Sequence, residues 1–155
     1  MKSLFLLCGP SGSGKSTWAQ RQAALDKGVI ISRDVIRFAL LKEGEDYFAH
    51  EDEVFDIFIK QINEAIAANN DKNIYIDATH LNEKSRNKVL DKIDLTNVNL
   101  IPVNFIIDLE VNFQFNDCRT GRAFVPRSVI SRMRAGFVPA GENEKHKYAD
   151  IINVF

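Results

Sequence analysis

Apolar and polar positions along the chain form short segments that predict strands and helices in alternation. The run Leu4–Cys8 is continuously apolar, as expected for a strand buried on both faces. Strands are predicted at residues 4–8, 29–31, 73–77, 100–107 and 150–155, with Pro102 breaking the fourth near its start. Helices are predicted at residues 16–27, 34–41, 51–69, 83–93 and 110–119, and in a last segment that starts at Pro126. This alternation predicts one α/β domain over residues 1–155 with a central parallel sheet.

Several local signals refine these helices. Gly28 is expected to close the first helix, and Asn82 to cap the amino end of the fourth. Residues 42–50 are predicted to form a loop. The clearest helix, at residues 51–69, carries an apolar face made of Phe55, Phe58, Ile59, Ile62 and Ile66. The expected core residues are Val89, Leu90 and Ile93 in the helix at residues 83–93, and Val129, Ile130 and Met133 in the last helix.

Composition and charge narrow the class of protein. The chain has 155 residues, which is about one domain's length, and its formal net charge is -1. Binding to a nucleic acid or a membrane would therefore need a local basic patch rather than a global positive field. Cys8 and Cys118 are expected to be reduced core thiols. The first apolar run is too short for a signal peptide or a bilayer span, so we expect a cytosolic protein.

The first predicted strand leads directly into a phosphate-binding motif. Gly9-Pro10-Ser11-Gly12-Ser13-Gly14-Lys15-Ser16-Thr17, here called the phosphate loop, has a glycine, four residues, then glycine, lysine and serine. Its glycines allow backbone N–H groups to surround phosphate oxygens, and the following helix adds its positive dipole end. Lys15 is expected to reach the β- and γ-phosphates, and the Ser16 hydroxyl to bind Mg²⁺. The motif predicts a user of nucleoside triphosphates.

A carboxylate follows the second predicted strand. Asp34 lies between Arg33 and Arg37, at the strand end where ligands bind in parallel sheets. It is a candidate general base that accepts a proton from an attacking hydroxyl. The alternative from spacing alone is that Asp34 only caps the helix that follows it.

Polar residues also follow the third predicted strand. Asp77 is expected to hold Mg²⁺ through water or to bind the acceptor. Thr79 and His80 are candidates either to contact the substrate or to shape the loop.

The segment Cys118–Gly141, here called the arginine segment, has no acidic residue but contains five arginines, at positions 119, 122, 127, 132 and 134. A lid at residues 119–126 could place Arg119 or Arg122 on the β- or γ-phosphate, an effect worth about 10³-fold or more in rate. The alternative is a solvated basic helix face. For the last three arginines we favour that face, or contact with a nucleic-acid backbone.

Together these motifs resemble the kinase domain of polynucleotide 5′-hydroxyl kinases, particularly the bacteriophage type used in end repair. The likeness covers nearly the whole chain. It is carried by residues 12–19, by Arg33-Asp34 with Arg37, by residues 79–82, and by Val125-Pro126 with Val129, Ile130 and Met133. The resemblance implies a three-layer P-loop kinase fold with an arginine-containing lid, ATP and Mg²⁺ as cofactors, and a 5′-OH end of DNA or RNA as substrate.

The resemblance also implies roles for individual residues. Asp34 would be the general base, Arg37 would touch the acceptor's phosphate, and Lys15 with a lid arginine would bind the donor phosphates. Two positions depart from the family pattern. Ala78 stands where the family has an aspartate before the threonine, so that Asp77 lies one residue earlier. Thr120 replaces the phosphate-clamping arginine, and Arg122 or Arg119 would substitute for it.

Two other functions stay open at this stage. An acidic stretch near the acceptor side leaves room for a small-molecule hydroxyl kinase; its residues are Glu43, Glu45, Asp46, Glu51, Asp52 and Glu53. A nucleotide-binding switch or ATPase without an acceptor is the second alternative. The sequence Asp108-Leu109-Glu110 does not fit the Asp-x-Asp motif of the family's phosphatase domain, so we expect a kinase alone. The oligomeric state is not determined, and a homo-oligomer is compatible with the sequence.

Overall fold

Five parallel strands form one sheet in a computed structural model, which describes residues 1–121 and 124–155. The strand order is β2-β3-β1-β4-β5, and every neighbouring pair is parallel. The strands are β1 (Lys2–Cys8), β2 (Val29–Ser32), β3 (Ile74–Asp77), β4 (Val98–Phe105) and β5 (Ile152–Val154). All carboxyl ends therefore lie at the same edge of the sheet, and the residues that follow the strands meet there.

Helices connect the strands and cover both faces of the sheet. They are α1 (Lys15–Asp26), α2 (Arg33–Leu40), α3 (Glu51–Ala67), α4 (Glu83–Leu90), α5 (Leu109–Asp117) and α6 (Arg127–Gly136), with a short 3₁₀ helix at Glu142–Lys147. Leu4 and Leu6 of β1 pack in the same core as α2, α3 and α4, whereas Leu7 packs in the smaller core with α1. Successive apolar side chains of β1 thus enter the cores on opposite faces of the sheet. The sheet with helices on both faces forms three layers, which confirms the predicted architecture.

The predicted helix faces are largely confirmed. Phe58 and Ile62 of α3 are fully buried, Val89 is buried on α4, and Ile130 is buried on α6. At the carboxyl end of α3, the Lys2 ammonium donates to the carbonyls of Ala65, Ile66 and Ala68 at 2.7, 3.0 and 2.7 Å. These carbonyls have no partners within the helix, so a lysine there stabilises the helix end.

Three local expectations are wrong. Pro102 does not break β4, because β5 pairs only from Val103 onwards and a strand without a neighbour on one side tolerates proline. Cys8 is buried, but Cys118 is exposed, so only one cysteine is a core thiol. At the end of α1 the left-handed residue is Lys27 (φ 58°) and not Gly28. Gly28 is needed for space, since a Cβ there would lie 2.7 Å from the Tyr75 ring.

No helix in the described part of the chain is long and apolar enough to cross a membrane.

Candidate active site

The phosphate loop joins β1 to α1 at the carboxyl edge of the sheet. Gly12 and Gly14 have φ values of +76° and +87°, a left-handed conformation that side chains rarely adopt. Gly12 also has no room for a Cβ, which would lie 2.7 Å from the Asn112 carbonyl oxygen of α5. The loop backbone therefore packs directly against α5, and the sequence can supply this geometry only with glycine.

Lys15 lies inside the phosphate loop. Its ammonium donates to the carbonyls of Gly9 and Pro10 at 2.9 and 2.7 Å, and to the Ser13 hydroxyl at 3.3 Å. Burial lowers the pKa of Lys15 to about 8, and the positive charge of Arg119 acts in the same direction. Asp77 and Asp34 oppose this shift. The fold therefore brings Asp77, Arg119 and Asp34 within electrostatic range of the lysine that is expected to bind phosphate.

The oxygen atoms of Ser16 and Asp77 lie together at the start of α1. The Ser16 hydroxyl donates to Asp77 Oδ2 at 2.6 Å, which connects the first turn of α1 to the end of β3. Hard oxygen donors of this kind suit Mg²⁺, which usually takes one or two protein ligands and completes its shell with water and substrate phosphates. Within residues 1–121 and 124–155, no group of three or more His, Cys, Asp or Glu side chains is placed to hold a metal ion.

Thr79 and His80 take part in shaping the site. The Thr79 carbonyl accepts a hydrogen bond from the Gly9 N–H at 2.8 Å and so fixes the start of the phosphate loop. His80 is only 4% exposed, and its Nδ1 donates to the Leu7 carbonyl at 2.6 Å. Burial lowers the pKa of His80 to about 4, so the ring is neutral near pH 7. Of the two roles predicted for His80, this placement agrees with shaping the loop and not with substrate contact.

A buried ion pair holds the backbone at His80 in place. Arg86 of α4 is fully buried, donates from Nη1 to the His80 carbonyl at 3.0 Å, and pairs with Glu144 at 2.7 Å. A second Arg86–Glu144 hydrogen bond of 3.0 Å makes the contact bidentate. Neither residue was predicted from the sequence, because an arginine and a glutamate 58 positions apart leave no local pattern.

Asp34 lies in the first turn of α2, where the helix dipole favours a negative charge. The helix cap is Ser32, whose side chain accepts from the Val35 N–H at 3.2 Å, so Asp34 is not needed as a cap. The Asp34 side chain is 41% exposed and accepts from Arg37 and from the Tyr47 hydroxyl. A carboxylate that is both anchored and open to solvent is suited to accept a proton from a substrate.

Arg37 is only 6% exposed, and it makes four hydrogen bonds with its five N–H donors. It forms a bidentate contact with Glu51 of α3, at 2.6 Å from Nε and 3.0 Å from Nη2, and it donates to Asp34 and to Tyr47. Arg33 adds a third hydrogen bond to Glu51, at 3.2 Å. The contact with an acceptor phosphate that the resemblance implies for Arg37 thus competes with these partners. Tyr47, inside the predicted loop 42–50, and this role of Glu51 were both missed from the sequence.

The arginine segment is described only in part. Arg119 is half-buried, and Arg122 lies outside the described residues. The Asn116 side chain joins α5 to the backbone of Val125. Its amide nitrogen donates to the Val125 carbonyl at 2.5 Å, and its amide oxygen accepts from the Val125 N–H at 2.9 Å. Arg127 pairs with Asp117 at 2.7 Å and lies over the Phe113 ring, which agrees with a surface role.

Residues 4–140 match the sequence model of a family described as an AAA domain. The chain belongs to this AAA domain family. The matched part of this AAA domain includes the phosphate loop, Asp34, Asp77 and most of the arginine segment. No curated protein matches the sequence.

Solved structures with the same fold include kinases of two kinds. A fungal RNA kinase aligns with a TM-score of 0.65 and 13% identity, covering 99% of this chain and 74% of the other. A gluconokinase from Sinorhizobium meliloti 1021 aligns with a TM-score of 0.61 and 17% identity, covering 99% and 82%. A chain of the Pnkp1/Rnl/Hen1 RNA repair complex aligns with a TM-score of 0.73 and 21% identity, and the alignment covers 95% of this chain and 46% of the other. At these identities the likeness shows the fold alone, that of P-loop kinases, and it leaves the acceptor undetermined.

Proposed function

We propose that this AAA domain transfers the γ-phosphoryl group of ATP to the 5′-hydroxyl of an RNA or DNA end. The observation that carries the proposal is Asp34, an anchored and partly exposed carboxylate within electrostatic range of Lys15. A protein that only binds or hydrolyses nucleotide has no evident use for such a group. The RNA kinase and RNA repair structures of the same fold support a nucleic-acid acceptor.

The phosphate loop would hold the donor. Backbone N–H groups of residues 12–17 surround the phosphates, and the positive end of α1 favours their negative charge. The Lys15 ammonium exchanges its present carbonyl partners for the β- and γ-phosphates. Mg²⁺ would be held by Ser16 directly and by Asp77 through water, and it would supply charge neutralisation on the phosphates when bound.

The acceptor would react at Asp34. The carboxylate accepts the proton of the 5′-hydroxyl while the hydroxyl oxygen forms a bond to the γ-phosphorus. The bond between the γ-phosphorus and the β–γ bridging oxygen breaks, and its electron pair leaves with ADP. Arg119 or Arg122 would stabilise the charge on the transferred group, which is the role expected of a lid arginine.

The direct test is transfer from ATP labelled at its γ-phosphate to 5′-OH oligonucleotides of RNA and DNA. We expect a labelled 5′ end, and we expect the substitution Asp34→Asn to abolish transfer while ATP affinity stays near normal. Wild-type protein that hydrolyses ATP but labels no oligonucleotide end would contradict the acceptor class. A variant Asp34→Asn with unchanged ATP turnover would instead favour a nucleotide switch.

One observation favours a second candidate, a kinase for a small hydroxyl compound. Arg37, the residue implied for the acceptor's phosphate, is buried against Glu51, and the acidic stretch follows it in the chain. The gluconokinase structure shows that the fold can serve such a reaction. The two candidates differ in salt dependence, because binding of a polyanion weakens steeply with salt and binding of a neutral polyol does not. The transfer assay should therefore include sugars and nucleosides at two ionic strengths.

A further inference from the structure

Four side chains form a connected set of hydrogen bonds that ends on Asp34. Glu51 accepts two hydrogen bonds from Arg37, at 2.6 and 3.0 Å. Arg37 Nη1 lies 2.7 Å from the Tyr47 hydroxyl, which lies 2.6 Å from Asp34 Oδ1. The Arg37 guanidinium also contacts Asp34 Oδ1 directly. The set thus connects α2, α3 and the loop between them.

The direction of each hydrogen bond follows from the chemistry of the groups. A guanidinium carries no acceptor, so the Tyr47 oxygen must accept from Arg37. The Tyr47 hydrogen is then directed at Asp34 Oδ1, which can only accept while it is ionised. Burial, together with this hydrogen bond, raises the pKa of Tyr47, so the hydroxyl keeps its proton at physiological pH. Both hydrogen bonds found for Asp34 therefore hold the same oxygen, Oδ1.

We infer that Tyr47 and Glu51 are positioning residues for the general base: Tyr47 directly, and Glu51 through Arg37, fix Asp34 Oδ1 so that Oδ2 faces the acceptor hydroxyl. The inference rests on the proposed transfer reaction at Asp34. Tyr47 is itself held in place, with its ring 4.3 Å from the Arg37 guanidinium and in edge contact with Phe38 and Phe48. A base held in this way loses little orientation freedom when the acceptor binds.

The test is the substitution Tyr47→Phe, which keeps the ring and its contacts and removes only the hydroxyl. We expect kcat for transfer to fall about 10- to 100-fold, the range for a lost hydrogen bond to a charged group. The KM values for ATP and acceptor should stay within about twofold, because no substrate contact is removed. Tyr75→Phe is the matched control, since Tyr75, in the core on the α1 face, also contacts an aspartate, Asp26, through its hydroxyl.

A second pair of variants tests the other end of the set. Glu51→Gln should lower kcat, while the exposed neighbour in Glu53→Gln should have no effect. Unchanged kcat in Tyr47→Phe, an equal loss in Tyr75→Phe, or a loss confined to KM would overturn the inference.

A spectroscopic readout makes the inference testable without any acceptor. The ¹³Cγ resonance of Asp34 should move in Tyr47→Phe and stay in place in Tyr75→Phe. Failure of wild-type protein to transfer phosphate would refute the proposed function alone, provided that this resonance still moves. An unmoved resonance would refute the positioning contact whether or not transfer occurs.

Discussion

The depressed pKa of Lys15 predicts that ATP binding takes up a proton. Burial lowers this pKa from its ordinary 10.5 to about 8, and the difference corresponds to about 3 kcal/mol against the charged form. A bound triphosphate favours the ammonium and moves the pKa back upwards. If the ordinary value is regained, uptake is about 0.1 proton per ATP at pH 7, about 0.5 at pH 8 and about 0.9 at pH 9. ATP affinity should then be about tenfold weaker at pH 9 than at pH 7.

Calorimetric titration with ATP in buffers of different ionisation enthalpy measures this uptake directly. The variant Lys15→Arg is the control, because arginine stays charged across the range and should take up no proton at this position. An NMR titration of the Lys15 side chain in the empty protein gives an independent value. Equal uptake in wild type and variant, or a Lys15 resonance that titrates near 10.5, would refute the reasoning.

Two further predictions concern packing. Gly12→Ala should abolish ATP binding and lower the Tm, because its Cβ would lie 2.7 Å from backbone, whereas Gly44→Ala, with nothing within 4 Å, should cost only about 1–2 kcal/mol of left-handed strain. Equal Tm values for the two variants would contradict this reading. Glu144→Gln should lower the free energy of unfolding by about 3–5 kcal/mol, because it leaves the buried Arg86 without its carboxylate. Denaturant titrations measure this loss, and a value below about 1 kcal/mol would contradict the prediction.

Elements and motifs with local signals were predictable from the sequence. The strands and helices follow from the spacing of apolar residues, since a buried face imposes a period on the chain. The phosphate loop is a contiguous motif whose glycines are required by backbone geometry, and the structure shows left-handed residues at Gly12 and Gly14. The placement of Asp34 and Asp77 beside Lys15 follows from their positions after neighbouring parallel strands.

Side-chain partners between separate elements were not predictable. The hydrogen bond from Tyr47 to Asp34 joins a loop to a helix, and a single polar contact imposes no period on either segment. The sequence left the role of His80 open for a related reason: its partner, the Leu7 carbonyl, lies 73 positions away in the chain. The resemblance implied that Arg37 contacts the acceptor's phosphate, and the sequence does not show that Glu51 lies against its guanidinium.

The sheet order has a consequence for how the protein acquires activity as it folds. β3 pairs with β1 on one side and with β2 on the other, so the first two strands of the chain do not pair with each other. A nascent chain that has emerged only as far as α3 therefore has a vacant position in the middle of its sheet. β3 fills this position and joins the end of β1, which leads into the phosphate loop, to the end of β2, which leads to Asp34. We therefore expect the phosphate loop and Asp34 to reach their final positions relative to each other only after β3 has joined the sheet.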